Sequence, residues 1–175
     1  VTERSEKFMD INLPIVHAAT AAKKLKGGQL QIDEAFAASS AKDKDTSVQF
    51  CLDSYMFPEE LAGENQYWCE KCGEKRDATR QVVFSKLPPV LNIQLCRYVY
   101  DRKKQTKKKL NNKVMLPQRL DVKSKNQPEP TSYRLCAVMK HLGTSAYRGH
   151  YIAEAMDWQT GTWFEFNDEK VKILN

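Results

Sequence analysis

The sequence predicts an α+β fold, with helical segments in the first half and mostly antiparallel sheet in the second. Three observations carry this. Val48, Cys51, Leu52 and Tyr55 fall at i, i+3, i+4 and i+7, one face of a helix. Leu91, Ile93 and Leu95 alternate with Asn92, Gln94 and Cys96, the period of a half-buried strand. Two further strand-like runs, His150 to Met156 and Thr162 to Phe166, flank Asp157, Gln159, Thr160 and Gly161, the composition of a hairpin turn.

Taken in order, residues 8–16 open with a strand: Met9, Ile11, Leu13 and Ile15 alternate with Phe8, Asp10, Asn12 and Pro14, and the proline closes it. Residues 17–47 differ in character, with alanines, Gly27-Gly28, Ser39-Ser40 and a charged run to Asp45; they read as an insertion with a short helix around Leu30 to Phe36. Thr46 and Gln49 have capping-box spacing ahead of the helix, and Pro58 stops it. Val82 and Phe84 start strand character, Leu87-Pro88-Pro89 interrupts it, and Tyr133, Leu135, Ala137 and Met139 mark one further strand.

The chain has 175 residues, 41% of them hydrophobic and 29% charged, which suits one domain or a large piece of one and argues against a wholly disordered chain. No apolar run reaches the ~18–20 residues of a membrane-spanning helix. The first residue is Val1 and the opening stretch mixes both charge signs, so an excerpt or processed chain is expected and no signal peptide is read. Five cysteines, an odd count at ordinary density, point to a reducing compartment, cytoplasm or nucleus, rather than a disulfide scaffold.

The net charge is +6, and residues 101–113 alone hold seven bases against one acid, so this segment makes the protein basic and the remainder is neutral. It reads as a solvated loop, or else as a contact for an acidic surface. No aromatic residue interrupts its lysines, which argues against nucleic acid as a partner.

Cys69-Glu70-Lys71-Cys72-Gly73 has the spacing of a metal knuckle: two thiolates on a tight turn that the glycine eases. A structural Zn²⁺ needs four ligands, and no second Cys-x-x-Cys exists. The pair is therefore half of a zinc site completed from elsewhere, a redox pair, or a knuckle without metal. Cys51, Cys96 and Cys136 are expected to be buried thiols. His17 and His141 read as surface residues. His150 stands apart, because a loop of small residues from Gly143 to Gly149 delivers it to a strand, and Gly149 allows close approach beside its ring. With a turn over 157–160, Met156 faces Gly161 and His150 faces Asn167, whose amide oxygen can fix the imidazole tautomer and leave the other nitrogen as a base. A slip of one residue brings Phe166 or Asp168 opposite instead.

Several ordered segments resemble the ubiquitin-specific proteases. Phe8 to Leu13 is similar to the strand after that family's first zinc knuckle, and Glu59 to Cys72 to its helix and second knuckle. Leu87 to Tyr98 is similar to its proline-led strand, and Lys109-Leu110-Asn111-Asn112, Pro117 and Leu120-Asp121 to the segment that follows. Tyr147-Arg148-Gly149-His150-Tyr151-Ile152-Ala153 with Trp163 to Asp168 resembles its histidine box, in the branch with Asn as third triad member. The resemblance implies a papain-like cysteine protease of finger, palm and thumb regions that grips ubiquitin. His150 would be general base, Asn167 its orienting partner and Asp168 a polar helper. Gly149 and Tyr151 would contact substrate, and Cys69 and Cys72 would be half of the finger zinc site. The family's nucleophile lies in an Asn-rich box that none of these five cysteines matches, and the first knuckle is likewise absent. The expectation is the C-terminal part of a deubiquitinase catalytic domain, inactive alone. The rival is a non-enzymatic ubiquitin-binding or scaffold module, and a basic nucleic-acid-binding knuckle protein comes third.

Overall fold

The computed structural model describes residues 2–16, 46–101 and 105–174; His17 and the helix expected near Leu30 to Phe36 lie outside them. In order, the elements are β1 (Ile11–Pro14), β2 (Thr46–Ser47), α1 (Val48–Met56), β3 (Glu59–Leu61), a 3-10 turn (Gly63–Asn65), β4 (Tyr67–Cys69), β5 (Glu74–Arg76) and β6 (Ala78–Arg80). There follow β7 (Ile93–Cys96), β8 (Tyr98–Asp101), β9 (Thr106–Lys109), β10 (Val114–Met115), β11 (Arg119–Val122) and β12 (Thr131–Arg134). The chain closes with β13 (Ala137–Leu142), β14 (His150–Met156), β15 (Trp163–Asn167) and β16 (Lys170–Leu174).

The helix forms where its apolar spacing predicts, and its inner face buries Val48, Cys51 and Leu52. Its cap differs from the expected box. Ser47, in extended backbone, accepts from the Phe50 N–H at 3.1 Å. Thr46 is instead buried and donates its hydroxyl to the Val16 carbonyl at 2.6 Å. Gln49 points away from the cap: its amide donates to the Asp121 carbonyl and accepts from the Asp121 N–H, both at 3.0 Å. This two-way bond ties α1 to β11. Ile11 and Leu13 of β1, Phe84, and Leu120 and Val122 of β11 complete the core around the helix. Leu52, with no exposed surface, contributes about 2 kcal/mol by its burial alone.

The first strand is shorter than its alternation suggests, because Met9 is 90% exposed and only Ile11 and Leu13 point inward. It pairs in parallel with β7, Ile11 beside Ile93 and Leu13 beside Leu95, and β10 also runs parallel to β2. The sheet content is therefore not wholly antiparallel. Val82 and Phe84 lie in irregular backbone, and Phe84 serves as a core anchor. The single strand expected over Tyr133 to Met139 is two, β12 and β13. Between them Leu135 donates to the Gln118 carbonyl and Cys136 accepts from Met156, bonds that serve two different strand systems. No α-helix forms in the segment from Glu59 to Cys72. Gly63 takes φ +61°, outside the right-handed helical region, and only a single 3-10 turn, which it opens, leads into the β4–β5 hairpin.

The lysine-rich segment is not simply a loop. Thr106 to Lys109 form β9, antiparallel to β8, with Tyr100 opposite Lys107 and Tyr98 opposite Lys109. Aromatic residues thus do stand beside the lysines, across the ladder rather than along the chain. Lys109 is buried. The C-terminal sheet runs β13-β14-β15-β16, all antiparallel, and its last strand is one that the sequence patterns above did not mark. Among the described residues no helix is long and apolar enough to cross a membrane.

Candidate active site

Two neighbouring strands place the imidazole and its partner. His150 is the first residue of β14 and Asn167 the last of β15. The observed ladder pairs Met156 with Trp163 and Ala153 with Phe166, two residues away from the register that a turn over 157–160 would set. The turn is longer, spanning 157–162. It is closed by Asp157 N–H to the Thr162 carbonyl at 2.9 Å and by Gly161 N–H to the Asp157 carbonyl at 2.8 Å. A two-residue shift keeps every side chain on its face, because strand side chains alternate with period two. Asn167 is consequently a diagonal neighbour of His150 on the same face, and its Oδ1 lies 2.6 Å from His150 Nε2.

An amide oxygen only accepts, so this bond places the proton on Nε2 and leaves Nδ1 with its lone pair. Asp168 follows at φ 53°, in the two-residue turn between Asn167 and Lys170, a left-handed position that aspartate tolerates. Its Oδ2 is 3.8 Å from His150 Nε2, an ion pair only when the ring is protonated. The His150 side chain is 44% exposed, open to an approaching group.

The loop before His150 is held from beneath. His141 sits in β13 opposite Tyr151, and its ring packs 4.8 Å from Tyr151 and 6.0 Å from Tyr98. Burial, then a hydrogen bond with Tyr151, pushes the Tyr98 phenol above its ordinary pKa. His141 is therefore not a plain surface residue: its Nδ1 is buried and has no hydrogen-bond partner among the described residues, and its ring lies directly under Gly149. A Cβ at Gly149 would meet His141 Nε2 at 2.0 Å and the Leu142 carbonyl oxygen at 2.5 Å. The close approach that Gly149 allows is first of all that of the chain's own β13. Tyr151 is 57% exposed on the opposite sheet face from His150. Nothing in residues 137–142 beyond a small-residue loop downstream signalled the role of His141.

The knuckle forms as a turn at the end of β4, where the N–H groups of Cys72 and Gly73 both donate to the Cys69 carbonyl and Gly73 takes φ +67°. The Cys72 backbone N–H, then the Cys72 thiol, hold the Cys69 thiol below its ordinary pKa, while the same thiol contact pushes Cys72 up. The pair thus favours one thiolate, and two sulfur donors fit half of a tetrahedral Zn²⁺ site. Among the described residues no group of three or more Cys, His, Asp or Glu could hold a metal. Cys51 is fully buried, within 3.6 Å of the Thr46 hydroxyl, while Cys96 and Cys136 are only half-buried, less than their strand positions suggested. Among the described residues, no cysteine thiol bonds to His150.

An imidazole oriented by an amide on adjacent strands can serve as a general base, and the proteins this chain is similar to are hydrolases. Residues 39–175 match the family described as Ubiquitin carboxyl-terminal hydrolase, and the chain belongs to that family. It is 43% identical over 126 residues to zebrafish (Danio rerio) ubiquitin carboxyl-terminal hydrolase 48, a match covering 71% of this chain and 12% of that protein. It is 44% identical over 131 residues to ubiquitin carboxyl-terminal hydrolase 26 of rice (Oryza sativa subsp. japonica), covering 73% of this chain and 12% of that protein. Among solved structures, a chain of the SAGA DUB module Ubp8/Sgf11/Sus1/Sgf73 bound to monoubiquitin superposes with TM-score 0.69 at 29% identity, over 96% of this chain and 31% of that one. A yeast SAGA DUB module with an Sgf73 mutant gives TM-score 0.68 at 28% identity, over 96% and 32% of the two chains. The chain therefore spans a small part of the relatives it matches.

Proposed function

We propose that this chain is the histidine-bearing, C-terminal part of a deubiquitinase catalytic domain that hydrolyses the peptide or isopeptide bond at the C-terminal Gly of ubiquitin. The observation that carries it is the 2.6 Å bond from His150 Nε2 to Asn167 Oδ1, within a chain of this family. The nucleophile is a Cys outside these residues. His150 Nδ1 takes its thiol proton, the thiolate attacks the Gly carbonyl carbon, and the tetrahedral intermediate expels the lysine amine. His150 returns the proton to that nitrogen, and water then hydrolyses the thioester. Asn167 fixes the tautomer that makes Nδ1 the base, and Asp168 stabilises the ring while it is charged.

Ubiquitin and ubiquitinated proteins are the partners this reading requires, supported by the monoubiquitin bound to a structural relative. The palm corresponds to β13–β16 and the finger to the β4–β5 hairpin. Gly149 and Tyr151 flank the approach of the ubiquitin tail. Cys69 and Cys72 would give two of four ligands to a structural Zn²⁺, and the compartment would be cytoplasm or nucleus; the insertion expected over residues 17–47 would end before Thr46, which is buried and pairs in β2. A non-enzymatic ubiquitin-binding module is the alternative, and one experiment separates them. The 175-residue chain alone should neither hydrolyse a ubiquitin C-terminal amide reporter nor label with a ubiquitin thiol probe. Its full-length parent should do both and lose turnover on His150→Ala. A labelled Cys within this chain, or a parent inert to reporter and probe alike, would overturn the proposal.

A further inference from the structure

We infer that Lys109 is a positioning residue for His150, latching the β8–β9 hairpin to the loop that carries the imidazole. This rests on the hydrolase reading above. A lysine is seldom buried without a compensating partner, because removing its charge from water is costly. Lys109 is only 9% exposed, and its ammonium donates to two backbone carbonyls: His141 at 2.8 Å, and Gly143 by a shorter bond. β13 is the edge strand of its sheet, and Gly143 is the first residue beyond its end, so the two carbonyls flank the strand's last residue, Leu142. The ammonium therefore caps the edge where β13 ends and the loop to His150 begins, with charge-assisted bonds stronger than neutral ones.

The far end of the same loop returns to the same residue. Gly149 lies on the His141 ring so closely that no Cβ fits, and Leu142 pairs with His150 across the ladder. Lys109 thus holds the backbone of the residue on which the loop lands. Between the two ends, the Lys107 N–H donates to the Tyr147 hydroxyl at 3.1 Å, a second link from β9 to the loop. Gly143 takes φ +116°, which only glycine adopts readily, so the loop leaves the sheet at a joint with little stiffness of its own. Without the ammonium, the joint would be free to move and His150 with it.

The test reads the imidazole and needs no turnover, so it fails or succeeds independently of the hydrolase assignment. In the ¹⁵N-histidine-labelled chain, the His150 ring should be the Nε2–H tautomer with a slowly exchanging proton. Lys109→Met should accelerate that exchange about tenfold, as the loss of two hydrogen bonds would. Val122→Ala, which truncates a buried side chain in β11 outside this sheet, should destabilise the fold yet leave the exchange unchanged. If Lys109→Met does not fold, Lys109→Gln, neutral and too short to reach both carbonyls, should show the same acceleration. Exchange at the wild-type rate in the folded lysine variant, or equal acceleration in Val122→Ala, would overturn the inference.

Discussion

The imidazole of His141 occupies the space where a side chain at position 149 would begin: a Cβ on Gly149 would stand 2.0 Å from His141 Nε2. The glycine before His150 is thus set by packing within the chain, whatever its part toward substrate. Gly149→Ala should destabilise the chain by about 1–3 kcal/mol, the usual cost of overpacking. His141→Ala should remove the ring but not the Leu142 carbonyl oxygen, 2.5 Å from the same Cβ, so the double variant should recover part of the loss and be more stable than the sum of the two single losses. Denaturant titration of the four proteins checks this, and simple additivity would mean the loop relaxes without involving His141.

His150→Ala in the full-length parent should abolish reporter turnover, since in the proposed mechanism one group both activates the thiol and protonates the amine, a contribution of about 10²–10⁴-fold or more. Asn167→Ala should cost less. Its amide orients the ring but offers no full charge, and Asp168, 3.8 Å from the same nitrogen, can partly replace it. Steady-state kcat of the two variants gives the ranking; equal losses would contradict it.

How far these residues could be read from sequence depended on what carried the signal. The helix face over Val48 to Tyr55 and the strand over His150 to Met156 survive into the structure, α1 burying Val48, Cys51 and Leu52 and β14 burying Ile152 between two neighbouring strands. The His150–Asn167 pairing survived a turn-length error because the register moved by two, an even number. A shift of one would have separated them. Lys109 and His141 were illegible for the opposite reason. Lys109 is held by backbone carbonyls and His141 by a glycine, partners that leave no periodic trace. The lysines of β9 hid a strand in the same way, since their outward charge masks the ladder beneath.

Stability should concentrate in the small core around α1. Leu52→Ala, at a fully buried site touching β1 and β11 neighbours, should cost about 2–5 kcal/mol, whereas Ser47→Ala, which removes only the helix cap, should cost about 1 kcal/mol. Met139→Ala, at a site 76% exposed, should fall within about 0.5 kcal/mol of wild type. Thermal or urea unfolding measures all three, and a Met139 loss as large as that of Leu52 would show that the sheet face is covered in solution.

Acid should loosen the hairpin turn. The Thr160 hydroxyl, then the Gln159 N–H, hold the Asp157 carboxyl below its ordinary value of 3.8. A depressed folded pKa means stability that is fully present above 3.8 and lost as pH falls through the lower, folded value. Asp53 has the opposite sign, because burial raises its pKa and its protonation on acidification favours the folded state. Thr160→Val should move the Asp157 carboxyl titration, followed by ¹³C NMR, upward toward 3.8. An unmoved titration would show that the turn backbone alone holds it.

The knuckle should bind metal in proportion to the ligands it can gather. Cys69 is the better thiolate of the pair, since the Cys72 N–H and thiol stabilise its charge, and Cys72 is correspondingly harder to ionise. Binding Zn²⁺ requires both to deprotonate, so affinity should rise with pH across the thiol range. Two sulfur ligands leave half the tetrahedron to water, and such a site should release zinc on dialysis of this chain. In the parent, two further cysteines would close the shell and retain the ion. Substituting Co²⁺ reports the sulfur count directly, because the ligand-to-metal charge-transfer band grows with each thiolate. The parent should show a four-sulfur spectrum that falls on Cys69→Ser, while the isolated chain should show a weak one at most. Stoichiometric zinc surviving dialysis of the chain would place ligands among residues not assigned to the site, and the parent would then need no second knuckle.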